Sequence, residues 1–161
     1  MSILIVYDSI FGNTGQVAKA MADDLARSHE VKLASVQEAR DLDPSGFDLL
    51  LVGSPTRGFR PTPEIQEFAS RSDLPKRAAV FDTRIDLDTI HPAPLRWVVQ
   101  AGGYAAERLR TELMEQGCTI VGEPEGFVVL GQEGPLRDNE LPRAAAWARG
   151  VAASPDKETL A

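Results

Sequence analysis

An α/β fold is what this sequence predicts: a parallel sheet covered by helices on both faces. Short apolar runs alternate with segments of helical periodicity from one end of the chain to the other, and parallel neighbours need such crossover connections. The third run, Leu49-Leu50-Leu51-Val52, is apolar at every position, as a strand buried on both faces requires. With 161 residues the chain has room for one domain, read as residues 1–153, followed by a polar tail over 154–161.

The elements follow in order. Ile3–Tyr7 is the first strand, broken by Asp8. From Thr14 to Ser28, Val17, Met21 and Leu25 recur at fourfold spacing, the core stripe of an amphipathic helix. Val31–Val36 alternates only partly and suits a strand near an edge. The third strand runs to Gly53, and a shorter helix follows Pro63, a residue tolerated in a first helical turn. Ala78–Phe81 is the fourth strand, and Thr119–Val121 continuing toward Phe127–Leu130 is the fifth. Between them Tyr104–Gln116 is a helix with Leu109 and Leu113 inward and Gly117 as its stop. Glu140–Val151 is the last helix, anchored by Trp147. Asp82 to about Gln100, with Pro92 and Pro94, is expected to form a long loop at the end of the fourth strand.

Composition narrows the function. A formal charge of -7 argues against nucleic-acid binding. The apolar start is too short for a membrane span and lacks the basic flank of a signal peptide, so a cytoplasmic location without membrane insertion is expected. The single cysteine, Cys118, excludes an intramolecular disulfide and reads as a small core residue. His29 and His91 have no Cys or carboxylate at ligand spacing, so neither suggests a metal. No Walker A loop, Gly-x-Gly-x-x-Gly fingerprint or nucleophile elbow occurs.

Chemistry concentrates in the first loop, Ser9-Ile10-Phe11-Gly12-Asn13-Thr14. It follows a strand and opens a helix, where free backbone N–H groups and the helix dipole make a seat for a phosphate. Gly12 allows positive φ or close approach. Ser9, Asn13 and Thr14 carry side-chain donors, and Thr14 is a candidate helix cap. The loop holds no Lys or Arg, so dipoles and hydrogen bonds would neutralise the anion.

This segment resembles the phosphate loop of the flavodoxin family, which commonly reads hydroxyl–x–x–Gly–Asn–Thr. Tyr7-Asp8-Ser9 leading into Gly12-Asn13-Thr14 is most similar to the flavodoxin module of flavo-diiron enzymes and to short stand-alone flavodoxin-like proteins. The resemblance covers nearly the whole chain. It implies a three-layer sandwich with a five-stranded parallel sheet of order 2-1-3-4-5, and FMN held on the loops at its topological switch point. Ile10 and Phe11 depart from it, standing where the family often places hydroxyl residues.

The resemblance extends to two more loops. Ser54-Pro55-Thr56-Arg57-Gly58-Phe59 would cover one face of the isoalloxazine, with Arg57 where an aromatic is frequent. A guanidinium there could stack on the ring and favour the anionic reduced flavin; a solvated turn with one buried Phe is the plainer reading of Arg57–Pro61. Asp82, Thr83 and Arg84 are the candidates for the ring edge, and Trp97 reads as packing beneath that loop rather than as the stacking aromatic. A response-regulator receiver shares this topology, but Gly53-Ser54-Pro55 offers no phosphoacceptor Asp.

The leading expectation is therefore an FMN-binding electron-transfer protein or small flavin-dependent oxidoreductase, with no side chain cast as a catalyst and a redox partner presenting a basic docking face. A fold that has lost FMN and serves as an interaction module is the second reading, and a quinone-linked reductase the third.

Overall fold

A computed structural model describes residues 1–56, 60–85 and 104–154. The strands are β1 (Ser2–Tyr7), β2 (Glu30–Ser35), β3 (Leu49–Pro55), β4 (Arg77–Ile85), β5 (Thr119–Ile120) and β6 (Glu125–Val129). The helices are α1 (Asn13–Leu25), α2 (Val36–Ala39), α3 (Pro63–Ala69), α4 (Ala105–Glu115) and α5 (Glu140–Ala152). The sheet is parallel in the order β2-β1-β3-β4-β5, as the sequence predicts, and β6 also pairs with β4.

Alternate residues of each strand feed opposite cores, because successive side chains point to opposite faces. Ile3, Ile5, Leu49, Leu51 and Phe81 pack against Val17, Met21 and Leu25 of α1 and Ala144 and Ala148 of α5. Leu4, Val6, Leu50, Val52 and Val80 pack against Ile65 and Phe68 of α3 and Leu109 and Leu113 of α4. Burying each such aliphatic side chain contributes about 1.5–3 kcal/mol. Trp147 takes the anchoring place expected of it, edge-on to both Phe81 and Phe127 at centroid distances of 6.0 and 6.2 Å. Cys118 is buried, and burial pushes its thiol up, away from reactivity.

Two expectations change. The fifth strand is two segments, β5 and β6, both on the same edge of β4. Ala78 pairs with Ile120 and Phe81 with Glu125, so Ala79 and Val80 face the longer stretch Val121–Pro124, whose Pro124 cannot donate to a ladder. The long loop expected from Asp82 begins later, since β4 carries Asp82–Ile85 in register with Gly126–Val129. The remainder of that loop, with Trp97, and the tail from residue 155 lie outside the described residues. Helix α2, too short for a periodicity signal, is set by a capping box in which Ser35 and Glu38 satisfy each other's backbone N–H groups. Pro63 opens α3 as predicted, with Thr62 as its cap.

Glu140, at the first turn of α5, welds that helix to β6. Its carboxylate accepts from the Val128 amide at 2.6 Å and from Arg143 at 2.7 and 2.9 Å, with Arg137 at 3.4 Å. Burial alone would raise this carboxyl, but the bonds from Arg143 and Val128 and the two guanidinium charges outweigh it and hold the pKa at about 2. A carboxylate depressed in the folded state stabilises above its unfolded pKa of about 4.5, and that contribution disappears as pH falls through about 2. Stability should therefore fall by roughly 3 kcal/mol from this group between about pH 5 and pH 2. Urea melts across that range should show a flatter dependence in Glu140→Gln, and an unchanged slope would remove Glu140 as the acid-labile tie.

Candidate functional site

The loops after β1 and β3 meet because their strands are neighbours. Tyr7 pairs with Gly53, and the Asp8 amide donates to the Gly53 carbonyl at 3.1 Å, one rung beyond the ladder. Between these loops and the end of β4 lies a crevice of about 360 Å³, within the usual range for a small-molecule site. It is lined by Ser9, Ile10, Phe11, Asn13, Thr14, Pro55, Thr56, Thr83, Arg84, Ile85, Val129 and Gln132.

The first loop is built around Ser9. Its Oγ accepts from the amides of Gly12 at 3.1 Å and Gly15 at 3.3 Å, folding the loop over its own start. Gly12 sits at φ +92, a conformation that L side chains avoid. Helix α1 begins at Asn13, with Gly12 at the cap position and no side-chain cap. The expectation that Thr14 caps this helix is thus overturned. Thr14 lies inside the first turn, and its Oγ1 is hydrogen-bonded to Thr83 Oγ1 at 2.8 Å. The amides of Ile10, Phe11, Asn13 and Thr14 take no acceptor among the described residues. Unsatisfied N–H groups at an uncapped helix N-terminus are an anion site in waiting.

Ile10 and Phe11 are 46% and 44% exposed. Their side chains form an apolar shoulder on the crevice mouth, while their backbones remain available to a ligand. Asn13 turns sideways: its Nδ2 donates to the Glu133 carbonyl at 3.1 Å. That contact draws in the loop after β6, which brings Gln132 to the crevice.

The second loop is ordered by hydroxyls as far as it is described. Ser54 is buried and does not line the crevice; its Oγ accepts from the Thr62 amide at 3.0 Å. Pro55 and Thr56 do line it. Thr56 donates its amide to the Thr83 carbonyl at 3.0 Å and accepts from the Ala105 amide at 3.0 Å. Arg57, Gly58 and Phe59 lie outside the described residues.

The expected third-loop group is divided by its strand position. Thr83 faces α1 and lines the crevice. Asp82 faces the opposite layer and is 0% exposed, so it stands behind the site rather than in it. It accepts two bonds from Arg84, each 2.7 Å, and one from the Ala106 amide at 2.9 Å. Burial pushes the Asp82 carboxyl up, against the pull of Arg84 and Ala106. Arg84 reaches the crevice with its guanidinium 3.7 Å from the centroid of the Tyr104 ring. Gly126 leaves space for it, since a Cβ there would collide with the Arg84 side chain.

Sequence reasoning missed Ile85, Val129 and Gln132. The signal for Gln132 was present in Gly131-Gln132-Glu133-Gly134-Pro135, a Gly/Pro turn after the last strand, the end at which such sheets bind ligands. Among the described residues, no group of His, Cys, Asp or Glu is placed to hold a metal ion, and no helix is long and apolar enough to cross a membrane.

Removing Asp82 leaves the Ala106 amide without its acceptor and replaces two 2.7 Å bonds to Arg84 with the longer, exposed contact to Glu107 at 3.7 Å. Asp82→Ala should cost roughly 3–5 kcal/mol of folding stability, the usual penalty for breaking a buried pair by one partner. Guanidinium denaturation measures it, and a loss under about 1 kcal/mol would show the pair to be a solvated contact.

The fold has well-defined counterparts. Oxidised flavodoxin 2 from Bacillus cereus superimposes with a TM-score of 0.66 at 21% identity, over 94% of this chain and 98% of that one. A short-chain flavodoxin associated with a non-canonical PDU bacterial microcompartment gives 0.69 at 16% identity, over 94% and 97%. The Flv1 flavodiiron core from Synechocystis gives 0.69 at 16% identity, over 94% of this chain but 35% of that one. No curated protein sequence matches the chain. The family model described as a flavodoxin domain matches residues 4–85, from β1 through β4 and so across all three loop origins, and the chain accordingly belongs to the flavodoxin family.

Proposed function

We propose that this protein binds FMN in the crevice and serves in electron transfer. The observation that carries the reading is the set of acceptor-free amides at Ile10, Phe11, Asn13 and Thr14, on an uncapped helix N-terminus inside a crevice of ligand size. A phosphate monoester fits that donor set without a counter-charge in the loop. The wall of the crevice beyond the loop is partly apolar, with Pro55, Ile85 and Val129, as the body of a flavin requires. Bound isoalloxazine would supply the redox chemistry, and the protein its orientation and electrostatics. Arg84 and the Tyr104 ring beneath it form the cationic edge of the same crevice. The charge of -7 favours a redox partner with a basic docking face, and the chain's place of work is proposed to be the cytoplasm.

One observation supports a second reading. Ile10 and Phe11 expose two large apolar side chains on the loop itself, a surface that an interaction module without flavin would also present.

A visible absorbance scan and fluorescence-quenching titration with FMN separate the two. Saturable quenching with flavin bands is the expected result, and its absence at high FMN leaves the interaction module as the better reading. In the same titration Gly12→Val should weaken FMN at least tenfold, about 1.4 kcal/mol, with an unchanged far-UV spectrum. Its Cβ would meet nothing within 4 Å among the described residues, so the effect comes from the backbone conformation at φ +92. Unchanged affinity would mean that the loop is only a turn.

A further inference from the structure

The Thr14–Thr83 contact is buried, with the two residues 1% and 5% exposed, yet both line the crevice. Each hydroxyl carries one proton and two lone pairs. At 2.8 Å a single proton lies between the two oxygens. The other proton of the pair has no acceptor among the described residues. Burying a hydroxyl proton without an acceptor is costly, so the pair presents an unmet demand for an acceptor, and the crevice is where that demand opens. Thr14 belongs to the loop with the free amides, whereas Thr83 lies on β4, across β3 from the strand that feeds that loop. Donation from Thr83 to Thr14 therefore leaves the Thr14 proton to serve the same acceptor as those amides.

We propose that Thr83 is a positioning residue for the phosphate end of the ligand: its hydroxyl donates to Thr14 Oγ1 and thereby aims the Thr14 proton at a phosphate oxygen. The inference rests on the FMN reading above and gives Thr83 a place different from the ring edge that the family resemblance implied. Its backbone holds the rest of the arrangement steady, since the Thr83 carbonyl accepts the Thr56 amide at 3.0 Å whatever the side chain is. Thr83→Val consequently removes the hydroxyl and keeps the shape and the main-chain bond. The relay strengthens a charge-assisted bond by polarisation and by fixing a rotor, so its loss is worth roughly three- to tenfold in affinity.

The test titrates FMN and riboflavin, which lacks the phosphate, into the wild-type protein, Thr83→Val, Thr83→Ser, Thr14→Val and the double valine variant. Thr83→Val should weaken FMN three- to tenfold and riboflavin less than twofold. Thr83→Ser should restore FMN affinity to within twofold of wild type, and the double variant should bind FMN no more weakly than Thr14→Val alone. Equal weakening of FMN and riboflavin would make Thr83 a wall of the site, overturning the relay while leaving the FMN reading intact. Additive FMN losses in the double variant, or a Ser variant as weak as the Val variant, would overturn it in the same way. Failure of the wild-type protein to bind FMN at all would overturn both readings together.

Discussion

The parallel pairing of β1 with β3 is the constraint from which the site follows. Once Tyr7 is opposite Gly53 and the Asp8 amide has closed on the Gly53 carbonyl, the chain must leave both strands at the same level. The helices that follow, α1 and α3, lie in different layers because crossovers of one hand to either side of β1 and β3 place them on opposite faces. A gap between the two departing loops is then unavoidable, and it opens at the carboxyl ends of the strands. The unbroken apolar runs Ile3-Leu4-Ile5-Val6 of β1 and Leu49-Leu50-Leu51-Val52 of β3 fix this pairing, because strands buried on both faces can occupy only the middle of the sheet.

Strand β4 then finishes the crevice, and its alternation assigns its residues different work. Thr83 points to the α1 side and meets the first loop, while its carbonyl meets the second. Asp82 and Arg84 point to the α4 side, where the buried carboxylate fixes the guanidinium and the start of α4. A buried ion pair is a poor source of net stability. Its value here is directional: Arg84 has its bidentate bonds to Asp82 and its seat on Tyr104, so the cation stays at the crevice edge. The loop after β6 is recruited by the same economy of contact, through the single bond from Asn13 to the Glu133 carbonyl.

The core was legible in the sequence because it is periodic. Val17, Met21 and Leu25 marked α1, the unbroken run at Leu49 marked β3, and Pro63 marked the start of α3. The first loop was legible for a different reason, since Gly12 at positive φ between a strand and a helix leaves a residue-type signature. What escaped was set by pairing across long separations. Nothing local distinguishes Asp82 as a strand residue from Asp82 as a loop residue; its register opposite Gly126 decides it. The division of the last strand into β5 and β6 likewise depends on how Val121–Pro124 fits beside β4. The Thr14 hydroxyl was assigned to its own helix on local grounds, and a partner 69 positions away claimed it.

That last reversal bears on how a flavodoxin-type loop tolerates Ile10 and Phe11. Replacing loop hydroxyls by apolar side chains removes donors, and a site relying on side chains would weaken accordingly. Here the amides do not depend on side-chain identity, and Gly12 together with Ser9 fixes their arrangement from below. The hydroxyls that remain belong to half-buried Ser9 and to the buried Thr14–Thr83 pair, at the root of the loop where geometry is held by the sheet. Donors at the root are oriented by the core and lose little entropy on binding, whereas donors at positions 10 and 11 would sit at the solvent edge. The outer positions of the loop are thereby released to carry an apolar surface without removing the acceptor-free amides and hydroxyls beneath them.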